Sequence, residues 1–207
     1  MATGGLFVIT APSGAGKTSL VQTLLREDPH CALSISYTTR PPRPGEAHGV
    51  DYFFVDTMTF EHMVKEGAFL EWAKVYDHYY GTAKKELWRL QEEGKDVILE
   101  IDWQGARAVR AVFPKACLIF IVPPSLQILQ ERLIARGKDS SEAIEKRMSN
   151  AREELSHCVE FDYIVINDHF EEAKTNLLTI IKAQRLSADR QIKRHAGLFS
   201  TWLKPQN

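Results

Sequence analysis

The segment APSGAGKT, residues 11–18, constrains this chain most, because it follows the apolar run Leu6–Ile9 and leads into a helix-like segment. A strand that ends in a glycine-bearing turn and opens a helix points successive backbone N–H groups at one place, where the helix dipole also favours an anion. In the pattern G-x-x-x-x-G-K-[ST], the lysine reaches nucleotide β- and γ-phosphates and the hydroxyl reaches Mg²⁺. We therefore predict a nucleotide phosphate site formed by Ala11, Pro12, Ser13, Gly14, Ala15, Gly16, Lys17 and Thr18.

Ala11 departs from this pattern, since it occupies the position of the first glycine. That position lies at the end of the strand, before the loop turns, and a small residue suffices there if its φ is negative. Pro12 fixes its own φ and disfavours the α region at Ala11. We expect the loop to bind phosphate despite the alanine.

Composition narrows the class of protein. The 207 residues are enough for one compact domain, and 26 Lys and Arg against 27 Asp and Glu lack the basic excess of a nucleic-acid-binding protein. Three widely spaced cysteines suggest neither a disulfide framework nor a zinc site. No leader is evident and no run approaches the ~18 apolar residues of a membrane span. We expect a soluble, cytoplasmic protein without a nucleic-acid or membrane partner.

Apolar runs alternate with helix-like segments along the chain. The runs Leu6–Thr10, Val97–Ile101, Leu118–Val122 and Tyr163–Ile166 show the low polarity of strands that are covered on both faces. Apolar residues recur at helical spacing in the segments 19–25, 104–112, 126–135 and 143–159. This alternation predicts an α/β fold with a parallel sheet core.

Two stretches interrupt the alternation. Residues 38–49 contain three prolines and two glycines, and strand-like segments follow at 50–55 and 69–75, which predicts a small inserted subdomain. In the stretch Glu131–Arg147, Gly137 and the polar residues 138–140 separate two charged helical patterns. This second stretch predicts a helix-loop-helix lid.

The run DVILEID, residues 96–102, ends an apolar strand in two acidic residues. Carboxylates at the end of a strand beside the first one would face the phosphates and hold the water shell of Mg²⁺. Glu100 and Asp102 are therefore candidates for this role, with Thr18 as the direct ligand. The alternative is that they only lead into the helix at 104–112, with Asp102 near its N-cap.

The inserted segment carries residues that suit a second, monophosphate substrate. Forked guanidinium groups and tyrosine hydroxyls bind phosphate well. Guanine offers two N–H donors to a carboxylate and a carbonyl to a hydroxyl, and a polar site of that kind rejects adenine. The candidate residues are Ser36, Arg40, Arg43, Tyr52, Glu71, Tyr80 and Thr82.

Six segments, taken in chain order, are similar to those of the guanylate kinase family, and most of all to its bacterial members. This resemblance extends from Gly5 to about Gln184. It implies the P-loop nucleoside-monophosphate kinase fold in a single domain, residues 1–207, with a core, a GMP-binding subdomain at about 36–90 and a helical lid at about 126–157. The segments are APSGAGKT, SYTTRPPRPGEAHGVDYFF, GAFLEW, YYGT, ILEIDWQGA and RLIARGKDSSEAIEKR.

The resemblance also implies residue roles. Thr82 stands where some relatives have serine, and Glu100 replaces an aspartate found in other members. Guanine would contact Ser36, Glu71 and Thr82, and the GMP phosphate would contact Arg40, Arg43, Tyr52 and Tyr80. Glu100 and Asp102 would lie near GMP and the metal. Arg132, Arg136 and Arg147 would approach the ATP phosphates, and Asn167 and Asp168 would lie beside the adenine.

The implied activity is reversible transfer of the γ-phosphoryl group of MgATP to GMP, and to dGMP, in purine nucleotide metabolism. Lys17, Arg40 and the three lid arginines would carry the catalysis, and Mg²⁺ would enter with ATP. Two alternatives stay open: a nucleoside-monophosphate kinase with another base preference, and a non-catalytic guanylate-kinase-like module that binds proteins. The presence of Lys17, Thr18 and the lid arginines favours the enzyme.

Overall fold

The computed structural model describes residues 4–75, 77–135 and 140–203. Strands and helices alternate through most of these ranges, and a short 3₁₀ helix, His157–Glu160, precedes the last strand. The strands are β1 (Leu6–Thr10), β2 (Cys31–Leu33), β3 (Tyr37–Thr38), β4 (Phe53–Phe54), β5 (Phe69–Val75), β6 (His78–Ala83), β7 (Asp96–Glu100), β8 (Cys117–Val122) and β9 (Tyr163–Ile166). The helices are α1 (Lys17–Glu27), α2 (Thr57–Lys65), α3 (Lys84–Glu92), α4 (Trp103–Val112), α5 (Leu126–Ala135), α6 (Ser141–Ser156), α7 (Phe170–Arg185), α8 (Ala188–Arg194) and α9 (Ala196–Ser200).

Five parallel strands form the main sheet, in the order β2-β7-β1-β8-β9. The four predicted strands are β1, β7, β8 and β9, so the predicted α/β fold with a parallel core is confirmed. β2 was not predicted, because its three residues carry too little pattern to recognise. Ile9 pairs with Glu100, and the segment 11–18 therefore begins at the same edge of the sheet where β7 ends.

Helices cover both faces of this sheet, which explains why β1 is buried at all five positions. Successive side chains of a strand point to opposite faces. Phe7 and Ile9 pack with side chains of α1 and α7. Leu6 and Val8 pack on the other face with side chains of α3 and α4.

A second sheet has four strands in the order β4-β3-β6-β5. The strand expected at 69–75 is β5, but the one expected at 50–55 is limited to Phe53–Phe54. The carbonyl of Ala47 accepts hydrogen bonds from the N–H groups of Val50 and Asp51, at 3.2 and 3.0 Å, and this turn occupies the first part of the expected strand. The sheet lies inside the predicted subdomain of residues 36–90, whose boundaries stay a prediction.

The helices α5 and α6 pack against each other through Leu129, Leu133 and Ala151. They lie within the predicted lid at 126–157. The helix expected at 143–159 begins at Ser141 and ends at Ser156, after which the chain continues as the 3₁₀ helix. In the parts of the chain that the structure describes, no helix has the length and apolar character needed to cross a membrane.

Candidate active site

Two glycines in the left-handed region shape the loop between β1 and α1. Gly14 and Gly16 both have a φ of 92°, which a residue with a Cβ atom adopts only with strain. Ala11 is partly buried and packs against the core beside β1. The alanine that departs from the pattern therefore contributes a packing contact at the base of the loop.

Asn167, at the end of β9, supports this loop from below. Its buried side-chain amide donates a hydrogen bond of 2.7 Å to the carbonyl of Ala15. A Cβ atom on Gly16 would lie 2.4 Å from the same amide nitrogen, so the close approach requires glycine. The structure thus gives the amide of Asn167 a supporting role, and the expected contact of this residue with adenine stays a prediction.

Lys17 and Thr18 begin α1, and the first turn of this helix contains no acidic side chain. The positive end of the helix dipole is therefore available to an anion. The hydroxyl of Thr18 donates a hydrogen bond of 2.6 Å to the carboxylate of Glu100. Glu100 thus lies beside the phosphate loop, where the sequence predicts it.

The residues at this point suit Mg²⁺. A hydroxyl and a carboxylate in direct contact are oxygen ligands of the kind that Mg²⁺ prefers. Among the described residues, no group of three or more His, Cys, Asp or Glu could hold a metal ion. Thr18 and Glu100 therefore fit an ion whose other ligands would be nucleotide phosphates and water.

Asp102 is the N-cap of α4, and its carboxylate accepts a hydrogen bond of 2.9 Å from the N–H of Gly105. The expectation that Asp102 lies near the N-cap of this helix is therefore confirmed. Burial is the largest cause that raises the pKa values of Glu71 and Glu154, and the charge of Asp102 raises them further. Asp102 consequently lies near both Glu71 of β5 and Glu154 of α6, and its predicted part in binding the metal or GMP stays a prediction.

Two of the three predicted lid arginines contact the phosphate loop or its support. Arg147 donates a hydrogen bond of 2.9 Å to the hydroxyl of Ser13, and Arg132 donates one of 3.0 Å to the carbonyl of Asn167. Among the described residues, no ion pair joins Arg132 to Glu131 or Glu145, the surface pairing that is the alternative for a helical arginine. Arg136 lies outside the described residues.

These groups surround a cavity of about 700 Å³ above the phosphate loop. Its wall also includes Arg43, which belongs to the inserted segment rather than to the core. One predicted ligand of the acceptor phosphate, Arg43, therefore lies at the cavity of the phosphate loop. The charged side chains in its wall are Lys17, Arg43, Arg132, Lys146, Arg147 and Glu154.

The predicted base-binding residues Glu71 and Thr82 lie opposite each other on β5 and β6. The Thr82 hydroxyl donates a hydrogen bond of 2.6 Å to Glu71, and its expected contact with guanine stays a prediction. Burial raises the pKa of Glu71 to about 7, although the bond from Thr82 works against this. A Cβ atom on Gly105 would lie 2.8 Å from the carboxylate, which is therefore enclosed by the start of α4.

Ser36 lies between β2 and β3, where its carbonyl accepts a hydrogen bond of 2.9 Å from Phe53. The residue is partly buried. This contact fixes the backbone at Ser36, and the expected contact of its hydroxyl with guanine stays a prediction.

Three of the predicted phosphate ligands form one cluster. The guanidinium carbon of Arg40 lies 5.4 Å from the ring centre of Tyr52, and the rings of Tyr52 and Tyr80 are 6.0 Å apart. Burial raises the pKa of Tyr52 to about 12, and the charge of Glu100 adds to this. The cluster therefore lies close to the carboxylate that contacts the phosphate loop.

Two acidic residues at the site, Glu46 and Glu154, were not predicted from the sequence. Glu46 binds the side chain of Arg40, and only its place directly after the Pro-Gly pair could have indicated it. Glu154 lines the phosphate cavity, and burial raises its pKa to about 7 against the attraction of Lys17. It follows Arg147 by seven residues, two turns of α6, which places both on one helix face.

The parallel sheet, the phosphate loop and the arginines of lid and insertion define the class of this protein as a P-loop nucleoside-monophosphate kinase. The family model described as guanylate kinase matches residues 4–184. The chain therefore belongs to the guanylate kinase family.

Individual relatives agree with this family. The chain is 53% identical to a guanylate kinase of Coxiella burnetii, over 97% of this chain and 98% of the relative. It is 50% identical to one of Thiobacillus denitrificans, over 95% and 94% of the two chains. The crystal structure of guanylate kinase from Anaplasma phagocytophilum is similar with a TM-score of 0.77 at 30% identity, covering 91% of this chain and 90% of that one.

Proposed function

We propose that this protein is an ATP:GMP phosphotransferase, which transfers the γ-phosphoryl group of MgATP to GMP or dGMP and forms ADP and GDP or dGDP. One observation carries the proposal: Arg43 of the inserted segment lines the same cavity as Lys17 and Arg147. A site that only hydrolyses ATP needs groups such as Lys17 and Arg147, but it needs no cation from the inserted segment. Arg43 adds a cation from the inserted segment at the same cavity, and this suits a phosphorylated acceptor.

The donor side of the reaction is assigned to the phosphate loop and the lid. Lys17 and the N–H groups at the start of α1 bind the β- and γ-phosphates. The three lid arginines, Arg132, Arg136 and Arg147, stabilise the negative charge that spreads over the transferred group. Thr18, with Glu100 nearby, would hold the Mg²⁺ that enters with ATP, and the ion would supply positive charge to the phosphates. The support that Asn167 gives to Ala15 keeps the loop in position for this.

The acceptor side is assigned to the inserted segment. Arg40, Arg43, Tyr52 and Tyr80 hold the phosphate of GMP, and Glu71 accepts hydrogen bonds from two nitrogens of guanine. The attacking phosphate is already an anion, so the reaction needs no strong general base. Alignment and neutralisation of charge therefore supply most of the catalysis.

The two alternatives are weaker. Relatives named guanylate kinase, matched over nearly the whole chain, do not favour a module that only binds proteins. A different base preference would leave the buried carboxylate of Glu71 without the paired N–H donors that it suits. Cytoplasmic location and the lack of a nucleic-acid partner stay predictions from composition.

The variant Glu71→Gln tests the assignment of the acceptor base. Glutamine has one acceptor oxygen in place of two, so we expect kcat/KM for GMP to fall about 100-fold, as for loss of a buried charged hydrogen bond. Rates with AMP, CMP and UMP should change little. Glu86→Gln, which alters a carboxylate paired with Arg89 on the surface of α3, is the matched control. Equal losses with all four acceptors would show that Glu71 does not select guanine.

A further inference from the structure

The segment that carries Arg40 and Arg43 contains a rigid turn. The carbonyl of Arg43 accepts a hydrogen bond of 3.0 Å from the N–H of Glu46, across Pro44 and Gly45. Proline in the second position and a glycine with a φ of 88° in the third form the pattern of a type II turn. The turn places the side chain of Glu46 beside Arg43, the first residue of the turn.

The carboxylate of Glu46 makes three contacts within this segment. Both of its oxygens lie 2.8 Å from the Nη2 atom of Arg40, and one of them also accepts a hydrogen bond of 2.8 Å from the N–H of Arg43. The side chains of Arg40 and Glu46 are only 10% and 20% exposed. Although burial favours its neutral form, these bonds hold the pKa of Glu46 below its usual range.

These contacts fix the orientation of the Arg40 guanidinium. Nη1 donates a further bond of 2.8 Å to the carbonyl of Pro41, and the plane lies near the rings of Tyr52 and Phe54. The contacts with Glu46 and Pro41 engage Nη2 and Nη1, two of the three guanidinium nitrogens. The side chain of Tyr80 also interacts with this guanidinium, so Arg40 is held among groups that are predicted to bind the same phosphate.

We propose that Glu46 is a positioning residue for the acceptor phosphate: it orients Arg40 and closes the turn that presents Arg43 before the acceptor binds. This inference rests on the proposed function, because it takes these arginines as ligands of the GMP phosphate. Glu46 itself does not touch the phosphate. It acts by removing side-chain and loop freedom that binding would otherwise have to restrict.

A competing effect has the opposite sign. The single negative charge of Glu46 reduces the attraction between the arginine pair and a phosphate, so its removal would strengthen binding if charge alone decided. The three bonds to Glu46 and its burial favour the positioning effect, because an arginine without them would sample several rotamers. The sign of the change in GMP affinity therefore separates the two effects.

The test compares the binding of GMP and guanosine, measured by titration calorimetry at pH 8 with the full chain in the absence of ATP. For Glu46→Ala we expect GMP affinity to fall about tenfold, the upper range for losing one restrained side chain, while guanosine affinity changes less than about twofold. Glu46→Gln keeps the side-chain volume and one acceptor oxygen, and should give a smaller loss of the same kind. Glu86→Gln again serves as control, since it alters an Arg–Glu pair within α3, outside the segment 40–46.

The outcomes separate this inference from the proposed function. Unchanged or tighter GMP binding in both Glu46 variants, or equal losses for GMP and guanosine, would overturn the role of Glu46. If the variants lose GMP affinity alone, the role stands. Failure of the unaltered enzyme to phosphorylate GMP would instead refute the proposed function, while the difference between GMP and guanosine binding would still decide what Glu46 does.

Discussion

At the scale of single residues, the main feature is a carboxylate in an enclosed site. Glu71 is buried, bonded to Thr82 and near the negative charge of Asp102. Burial raises its pKa to about 7 from an ordinary value of 4.5. Only the ionised form accepts hydrogen bonds from both guanine nitrogens, so its protonation state controls the proposed recognition of the base.

This gives a prediction for the pH dependence of base binding. Since the raised pKa keeps Glu71 largely protonated at pH 6 and largely ionised at pH 8, guanosine affinity should rise about tenfold between these values and level off above them. Guanosine is the suitable probe because it has no phosphate that titrates in this range. Titration calorimetry at pH 6, 7 and 8 measures the effect.

Glu71→Gln supplies the control for the pH series. Its side chain does not ionise, and its weaker guanosine binding should not vary with pH. A flat profile for the unaltered protein would mean that Glu71 is already ionised at pH 6 or does not contact the base.

At the scale of elements, the phosphate loop depends on a strand distant in the sequence. Asn167 at the end of β9 donates to the carbonyl of Ala15, and its own carbonyl accepts from Arg132 of α5. The residue therefore connects the loop, the sheet and one helix of the predicted lid. Loss of its amide would leave a loop carbonyl without its donor, at a point where Gly16 packs closely.

We predict that Asn167→Ala weakens both the fold and the donor site. The free energy of unfolding should fall by about 1–3 kcal/mol, the usual cost of a buried polar group that loses its partner. KM for ATP should rise while KM for GMP stays nearly constant. Urea unfolding and steady-state kinetics measure these changes.

Asn176→Ala is the matched control, because Asn176 is an exposed asparagine of α7. It should alter neither stability nor KM by a comparable amount. An unchanged KM for ATP in a folded Asn167→Ala variant would remove the supporting role of this residue.

At the scale of the whole molecule, the sequence predicts those features that lie within short segments. The phosphate loop, the four long strands of the main sheet and the capping alternative for Asp102 follow from local pattern. The bonds of Asn167 with Ala15 and of Thr18 with Glu100 join residues 152 and 82 positions apart, so only the folded chain brings them together. The partner of Thr82 was likewise not predictable, since β5 and β6 place its hydroxyl on Glu71 by their register.

The most direct test of the account is ADP release from MgATP with GMP, dGMP, AMP, CMP or UMP supplied separately, beside a reaction without acceptor. We expect rapid turnover with GMP and dGMP, and rates near the acceptor-free level with the other three. Comparable rates with another base would contradict the assignment of Glu71, and no stimulation by any acceptor would contradict the proposed phosphotransferase.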